Sequence, residues 1–101
     1  MIKVAGEIVM APEVEDVLRR HPDVQDAAVI GVPDKVRGEI PRAFVVLKDG
    51  AATAPDELRF FLKKYLAHFK IPHDIELRQS LPKNRTGKVD KEGLKQDACP
   101  T

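Results

Sequence analysis

The segment Val24–Val32 constrains this chain most, because Ala27-Ala28-Val29-Ile30-Gly31-Val32 is an almost continuous apolar run of β-strand length. A second run, Ala43–Leu47, repeats the pattern and stops at the turn residues Lys48-Asp49-Gly50. The first run predicts a central strand and the second predicts another buried strand. The polar segment Pro33–Pro41 connects them.

A short helix is predicted from Ala11-Pro12-Glu13, because proline is tolerated in the first turn and acidic residues there favour the positive end of the helix dipole. His21-Pro22 ends it. A longer helix is predicted after Thr53, which we assign as N-cap, with Asp56 as a weaker form of the capping box. Its apolar stripe at helical spacing indicates a buried face rather than a ligand-stacking one: Leu58, Phe61, Leu62, Tyr65, Leu66 and Phe69.

The two ends of the chain contribute smaller elements. Two apolar pieces, Ile2–Val4 and Ile8–Met10, predict a hairpin that turns at Gly6 and must lean on other structure to be stable. Ile75 and Leu77 alternate with polar residues as in a half-exposed strand, and 90–96 can form a last helical turn or two. The predicted fold is a compact α+β domain: about three strands packed by helices, with the hairpin as an appendage.

Composition narrows the possible functions. The 101 residues are enough for one domain, and 17 basic residues almost balance 16 acidic ones, so no long-range field favours nucleic acid or membranes. No apolar run is long enough to span a membrane, and nothing resembles a secretory signal. The lone Cys99 excludes an internal disulfide and fits a cytoplasmic location, and the scattered His21, His68 and His73 lack metal-ligand spacing.

The turn-rich loop Leu81–Asp90 is the strongest candidate for chemistry. Pro82 restricts the backbone, Gly87 permits a conformation that other residues resist, and Lys88 follows it with a cationic side chain suited to an anionic ligand. A solvated surface loop has the same composition. A phosphate-binding P-loop is rejected, because Pro82 replaces its first glycine and Val89 its Ser/Thr.

Several short motifs occur in order along the chain: Ile2-Lys3-x-x-Gly6, Ile8-x-x-Ala11-Pro12-Glu13-Val14-Glu15-x-x-Leu18, His21-Pro22-x-Val24, Ala27-Ala28-Val29-Ile30-Gly31-Val32-Pro33-Asp34, Gly38-Glu39, Ala43-Phe44-Val45-Val46 and Leu81-Pro82-Lys83-x-x-Thr86-Gly87-Lys88. Together they resemble the C-terminal domain of the adenylate-forming enzymes, the superfamily of acyl-CoA synthetases, nonribosomal-peptide adenylation domains and firefly luciferase. The resemblance covers Met1 to about Lys95.

The resemblance implies a two-step acid–thiol ligase. A carboxylic acid and ATP give an acyl-adenylate and pyrophosphate, and coenzyme A then displaces AMP to give a thioester. It also implies that a larger N-terminal AMP-binding domain binds ATP, Mg²⁺ and the acid, and that this domain is the partner of the present chain. Residues 1–96 would be the mobile lid domain, with the hairpin at 1–10, the core at 11–96 and a tail at 97–101. The domain alone would be inactive and bind no cofactor.

The resemblance also assigns residues. Lys88 would be the catalytic lysine of adenylation, supported in its loop by Pro82, Thr86 and Gly87. In a second pose Gly6 would let the backbone approach the pantetheine arm of CoA, and Lys3 would act in thioester formation, although a solvated strand lysine explains Lys3 equally well. For Glu39 we expect a structural role within its loop.

Two alternatives stay open. The chain could belong to an adenylation domain that loads a carrier protein, or it could be a stand-alone binding module whose cationic loop holds a phosphorylated ligand. The identity of the acid is not encoded here, because the resemblance places the acyl pocket in the N-terminal domain.

Overall fold

The computed structural model describes residues 2–72 and 74–98; Met1, His73 and the tail residues 99–101, with Cys99, lie outside the described part. The strands and helices, in chain order, are β1 Ile2–Val4, β2 Glu7–Val9, α1 Ala11–Arg19, β3 Val24–Asp34, β4 Gly38–Leu47, α2 Pro55–Leu62, β5 Asp74–Arg78 and α3 Lys91–Ala98. One 3-10 turn, His68–Lys70, separates α2 from β5. These elements confirm the predicted α+β class.

Strand β4 organises the sheet because it pairs with three other strands. β3 runs antiparallel to it over its whole length, from Val24↔Leu47 to Asp34↔Gly38. On its other side β5 pairs in parallel with its second half, and β1 joins it at Val4↔Gly38. The β1–β2 hairpin therefore continues the sheet, which has five strands, instead of being the predicted appendage. β3 and β4 also extend into the predicted Pro33–Pro41 connection and leave only residues 35–37 between them.

The prediction that Val24–Val32 is a central strand is wrong in position. In the described part of the chain β3 pairs only with β4, so it forms one edge of the sheet. Side chains of α1 occupy that edge: a Glu15 carboxylate oxygen accepts the Val29 N–H at 2.8 Å, and Arg19 donates to the Ala27 carbonyl at 3.1 Å. The edge is thus covered by a helix, as edges commonly are in natural sheets.

Both faces of the sheet are covered by helices, which explains why β3 and β4 read as continuous apolar runs. On one face the strand residues Ala27, Val29, Ala43 and Val45 pack under α1 and α2, with Leu18, Leu58 and Leu62 fully buried. On the other face Ala28, Ile30, Phe44 and Val46 pack with Leu81 and Leu94. The sheet thus separates two apolar cores: the first core lies under α1 and α2, and the second core contains Leu81 and Leu94.

Helix α2 differs from its prediction. Its N-cap is Ala54, without a side-chain cap, and Thr53 instead donates from Oγ1 to an Asp23 carboxylate oxygen at 2.5 Å. The helix ends at Leu62, so the apolar stripe is divided between α2, a turn and the 3-10 segment. Leu58, Leu62 and Leu66 are buried as expected, whereas Tyr65 is 53% exposed and the neighbouring Phe60 is 65% exposed.

Strand β5 lies at the margin of the sheet and shows the predicted half-exposed pattern, although one of its two apolar side chains is partly exposed. Ile75 is buried, but Leu77 is 40% exposed. The opposite side of the strand is ionic: Glu76 pairs with Arg78 and Arg42. A hydrogen bond from Arg78, opposed by partial burial and aided by the charges of both arginines, lowers the pKa of Glu76.

Two phenylalanines provide a matched test of this packing. Phe44 is fully buried on β4, whereas Phe60 is largely exposed on α2. We expect Phe44→Ala to lower the free energy of unfolding by about 3–5 kcal/mol through lost burial and a cavity, and Phe60→Ala to change it by about 0.5 kcal/mol or less. Urea denaturation of both variants measures this. Equal losses would contradict the two-core arrangement.

Candidate functional site: two loops at opposite ends of the sheet

The loop that carries Lys88 stands on an apolar base. Leu81 is buried and Val89 packs against the second core, so both arms of the loop are anchored. The arms pair through an antiparallel bridge between Lys83 and Val89, and the Asp90 N–H donates to the Pro82 carbonyl at 2.8 Å. Residues 84–88 therefore project as a closed, exposed tip.

Asn84 determines the shape of that tip. Its side-chain oxygen accepts the Thr86 N–H at 3.0 Å, the Thr86 hydroxyl at 2.7 Å and the Lys88 N–H at 3.1 Å. Its backbone N–H donates to the Lys88 carbonyl at 2.8 Å, and its carbonyl accepts the Gly87 N–H at 3.0 Å. Gly87 has φ +83°, a left-handed conformation that favours glycine.

Sequence reasoning missed Asn84, which stood at an unassigned position of the loop motif. A signal was present: asparagine side chains often bond to backbone groups a few residues ahead in turns that contain glycine. The predicted supporting residues Pro82, Thr86 and Gly87 all lie in this loop, and Thr86 and Gly87 bond directly to Asn84.

The Lys88 side chain is exposed, and within the described residues its ammonium has no hydrogen bond or ion pair. Beside it runs a shallow groove along the outer edge of β3, lined by Arg19, Asp26, Lys83 and Lys91 among others. Lys83 pairs with Asp26 at 2.8 Å, and Lys91 pairs with the buried Glu15 at 2.9 Å. Lys88 is therefore the cation of this groove that is available for an external anion.

The Gly6 turn has the geometry of a two-residue hairpin. Val4 pairs with Glu7, and the intervening Ala5 and Gly6 have φ +50° and +88°, which matches a type I′ turn. A Cβ on Gly6 would meet nothing within 4 Å, so the space above the turn is open. The Ala5 N–H donates to the Arg37 carbonyl at 2.9 Å, which ties the turn to the β3–β4 connection.

Glu39 has a structural role, but it lies in β4 and connects two strands, and does not act within a loop as the sequence predicted. One of its carboxylate oxygens accepts the Lys3 N–H at 3.2 Å, which links β4 to β1. The other lies where a side chain on Gly31 would be, since a Cβ there would sit 2.8 Å away. Gly31 thus leaves the space that Glu39 occupies. The Lys3 side chain itself is exposed.

The structure does not bring Lys88 together with Gly6 and Lys3. The Lys88 loop is joined to the sheet at Asp26, which pairs with Val46, whereas the Gly6 hairpin joins it at Gly38. These two positions are eight residues apart along β4, a span of about 26 Å at about 3.3 Å per residue. The two loops are therefore attached near opposite ends of β4.

Residues 13–88 match the family model described as the AMP-binding enzyme C-terminal domain. The chain belongs to this family. It is 46% identical over 94 residues to the crotonobetaine/carnitine–CoA ligase of Proteus mirabilis, covering 93% of this chain and 18% of that protein. The corresponding ligase of Escherichia coli O1:K1 is 40% identical over 95 residues, covering 94% of this chain and 18% of the relative.

Solved structures agree on the fold. The amide bond synthetase McbA of Marinactinospora thermotolerans has a TM-score of 0.91 at 40% identity, covering 94% of this chain and 19% of that one. The Brucella canis acyl-CoA synthetase has a TM-score of 0.89 at 37% identity, covering 95% of this chain and 18% of that one. This AMP-binding enzyme C-terminal domain thus spans less than a fifth of the length of these relatives.

Other kinds of site receive no support in the described residues. No group of three or more histidine, cysteine or acidic side chains there could hold a metal ion. His21 is used structurally: its Nδ1 accepts the Asp23 N–H at 3.1 Å, and its ring packs edge-on against Phe61. None of the described helices is long and apolar enough to cross a membrane.

The role of Asn84 can be tested with two matched variants. Asn84→Ala removes the acceptor of three hydrogen bonds, so we expect the Thr86 and Lys88 amides to exchange about five- to tenfold faster, as suits a net loss of about 1 kcal/mol locally. Asn84→Asp keeps a side-chain oxygen at the same place and should preserve the protection. NMR hydrogen exchange measures both, and equal protection in all three proteins would contradict this role.

Proposed function

We propose that this chain is the mobile C-terminal domain of an ATP-dependent acyl-CoA synthetase, which converts a carboxylic acid, ATP and CoA into acyl-CoA, AMP and pyrophosphate. The separation of the Lys88 and Gly6 loops along β4 carries this proposal. A domain whose two functional loops are attached about 26 Å apart along one strand reorients to present each of them to one active site. The larger AMP-binding domain is its partner and holds ATP, Mg²⁺ and the acid.

In the first half-reaction Lys88 enters the active site. Its ammonium acts as a compact point charge at the end of a flexible side chain. It suits the ATP α-phosphate and the substrate carboxylate, between which negative charge is redistributed as the acyl-adenylate forms. The Asn84-centred loop holds the lysine backbone in place, so the charge is presented before the substrate arrives.

In the second half-reaction the Gly6 turn faces the active site. Its open surface lets the pantetheine arm of CoA pass close to the backbone, which a side chain would obstruct. Lys3, exposed on the adjacent strand, lies beside this path. Because the chain would then work on CoA, and its lone cysteine fits a reducing compartment, we place the enzyme in the cytoplasm.

Three acyl acceptors have to be compared. A carrier-bound thiol is chemically equivalent to CoA at its reactive end, and one similar structure is that of an amide bond synthetase. The CoA-ligase relatives favour CoA. Assays with free CoA, a phosphopantetheinylated carrier protein and a simple amine separate these acceptors. A stand-alone binding module, by contrast, would support no reaction with any of them when joined to an AMP-binding domain.

The test of Lys88 uses a chimera in which this chain replaces the matching segment of the Proteus mirabilis ligase. Lys88→Ala should slow ATP–pyrophosphate exchange about 10²–10³-fold, the loss typical of one electrostatic donor, and leave thioester formation from supplied acyl-adenylate intact. Lys48→Ala, at an exposed lysine after β4, is the control and should leave both steps unchanged. If Lys88→Ala slowed the two steps equally, its assignment to adenylation would be wrong.

The test of Gly6 uses a glycine with a similar φ angle as control. Gly6 and Gly50 have φ +88° and +82°, and a Cβ on either would meet nothing within 4 Å. Substitution by leucine should strain both backbones similarly. In the chimera we expect Gly6→Leu to lower the rate of thioester formation at least tenfold and Gly50→Leu to leave it unchanged, with adenylation preserved in both. If both substitutions lowered the rate of thioester formation equally, the assignment of Gly6 to the site where CoA approaches would be wrong.

A further inference from the structure

An ion pair connects the Lys88 loop to the edge of the sheet. The Lys83 ammonium, at the first position of the paired arms, lies 2.8 Å from an Asp26 carboxylate oxygen although the residues are 57 positions apart. Lys83 also forms the backbone bridge to Val89. The same residue therefore closes the loop through its backbone and attaches it to β3 through its side chain.

Asp26 is a fixed attachment point. It lies at the one irregularity of the β3–β4 register, between Val24 and Asp26, just before the regular pairing begins. Its other carboxylate oxygen accepts the Ala27 N–H at 2.8 Å, and the Arg19 guanidinium stands 3.7 Å away. Arg19 is in turn held by the Ala27 carbonyl. Helix α1, strand β3 and the Lys88 loop thus meet at this carboxylate.

The Asp26 carboxyl group is held in its ionised form. Partial burial alone would raise the pKa of Asp26, but the hydrogen bonds from Lys83 and the Ala27 N–H, together with the Lys83 and Arg19 charges, outweigh it and lower the pKa. A carboxylate with a depressed folded-state pKa contributes its stabilisation above the unfolded pKa and loses it as pH falls through the folded one. The interaction is therefore complete at neutral pH.

We propose that Asp26, acting through Lys83, is a positioning residue that sets the direction in which the loop presents Lys88. Asn84 fixes the internal shape of the loop, but the loop stands on two arms and can still tilt about them. A side-chain link from one arm to β3 removes that tilt. This inference rests on the proposed role of Lys88 in adenylation and extends it to a residue 62 positions earlier in the chain.

Two consequences distinguish positioning from general stabilisation. Partly exposed ion pairs contribute little to stability, about 1 kcal/mol or less, so loss of this one should hardly change unfolding. Misdirection of Lys88 should instead lower kcat for adenylation with little change in the KM for ATP. Thioester formation should be unaffected, because the Gly6 hairpin joins the sheet at the other end of β4.

The experiment is a double-mutant cycle in the same chimera. Asp26→Ala, Lys83→Ala and the double variant should each lower adenylation kcat about three- to tenfold, with the double no slower than the singles. The exchanged pair Asp26→Lys with Lys83→Asp should recover part of the rate, because it restores the ion pair but places a cation beside Arg19. Moderate salt should slow the unmodified chimera more than the double variant, because salt screens the Asp26–Lys83 pair in addition to the contacts that both proteins share.

The chain offers a matched control pair. Glu13 and Lys70 are also 57 residues apart and 2.9 Å from each other on the surface, but they join α1 to the 3-10 turn and not to the Lys88 loop. Glu13→Ala and Lys70→Ala should leave adenylation unchanged. An equal loss from both pairs would overturn the proposal in favour of a general stability effect.

Two other results would also overturn it. If Lys83→Ala slowed adenylation while Asp26→Ala did not, Lys83 would contact the substrate directly and the link to Asp26 would be incidental. If the two single losses multiplied in the double variant, the residues would act independently. Failure of the proposed function is distinguishable, because then Lys88→Ala itself would not selectively slow adenylation. If Lys88→Ala slowed adenylation and the Asp26 variants did not, only the positioning inference would be wrong.

Discussion

The two-stranded ribbon of β3 and β4 is the feature on which the rest of the structure depends. Its backbone pairing runs from Val24 to Asp34, and apolar side chains cover both of its faces. The N-terminal hairpin, β5, α1 and α3 contact it directly, and α2 packs against α1 and β5. Its length separates the attachment points of the two loops, which is why a single small domain can present two distinct surfaces.

The outer edge of β3 combines a structural need with a functional one. An exposed strand edge leaves N–H and carbonyl groups unpaired and open to unwanted association. Here Glu15 and Arg19 from α1 occupy that edge, and Glu15 also binds Lys91. Asp26, next to these groups, receives Lys83. The charged side chains that cover the edge thereby become the support for the loop that carries Lys88, in the reading that we propose.

Elements that depend on local sequence were predictable, whereas features that depend on distant residues were not. Buried strands and α1 were correctly predicted, because continuous apolar runs, Pro12 and the His21-Pro22 stop act locally. Thr53 failed as an N-cap because Asp23, 30 residues away, offers its hydroxyl a partner that no local pattern contains. Tyr65 was expected inside because helical spacing was extended past Leu62, where the backbone leaves the helix. For the candidate site, the motif predicts roles for Thr86, Gly87 and Lys88 that stay predictions, and it gave no sign of the bonding of Asn84.

By itself the sequence determined the fold class and the family, and it predicted which residues carry functional chemistry, since these depend on local periodicity, turn residues and short motifs in order. Only the tertiary structure decided that β3 is an edge strand and that the hairpin continues the sheet. It also decided that the Lys88 loop and the Gly6 hairpin are attached near opposite ends of β4, and that Lys83 pairs with Asp26. The physical reason is that strand order and long-range ion pairs depend on which distant segments share a core. Residues 57 positions apart carry no local signal of their contact.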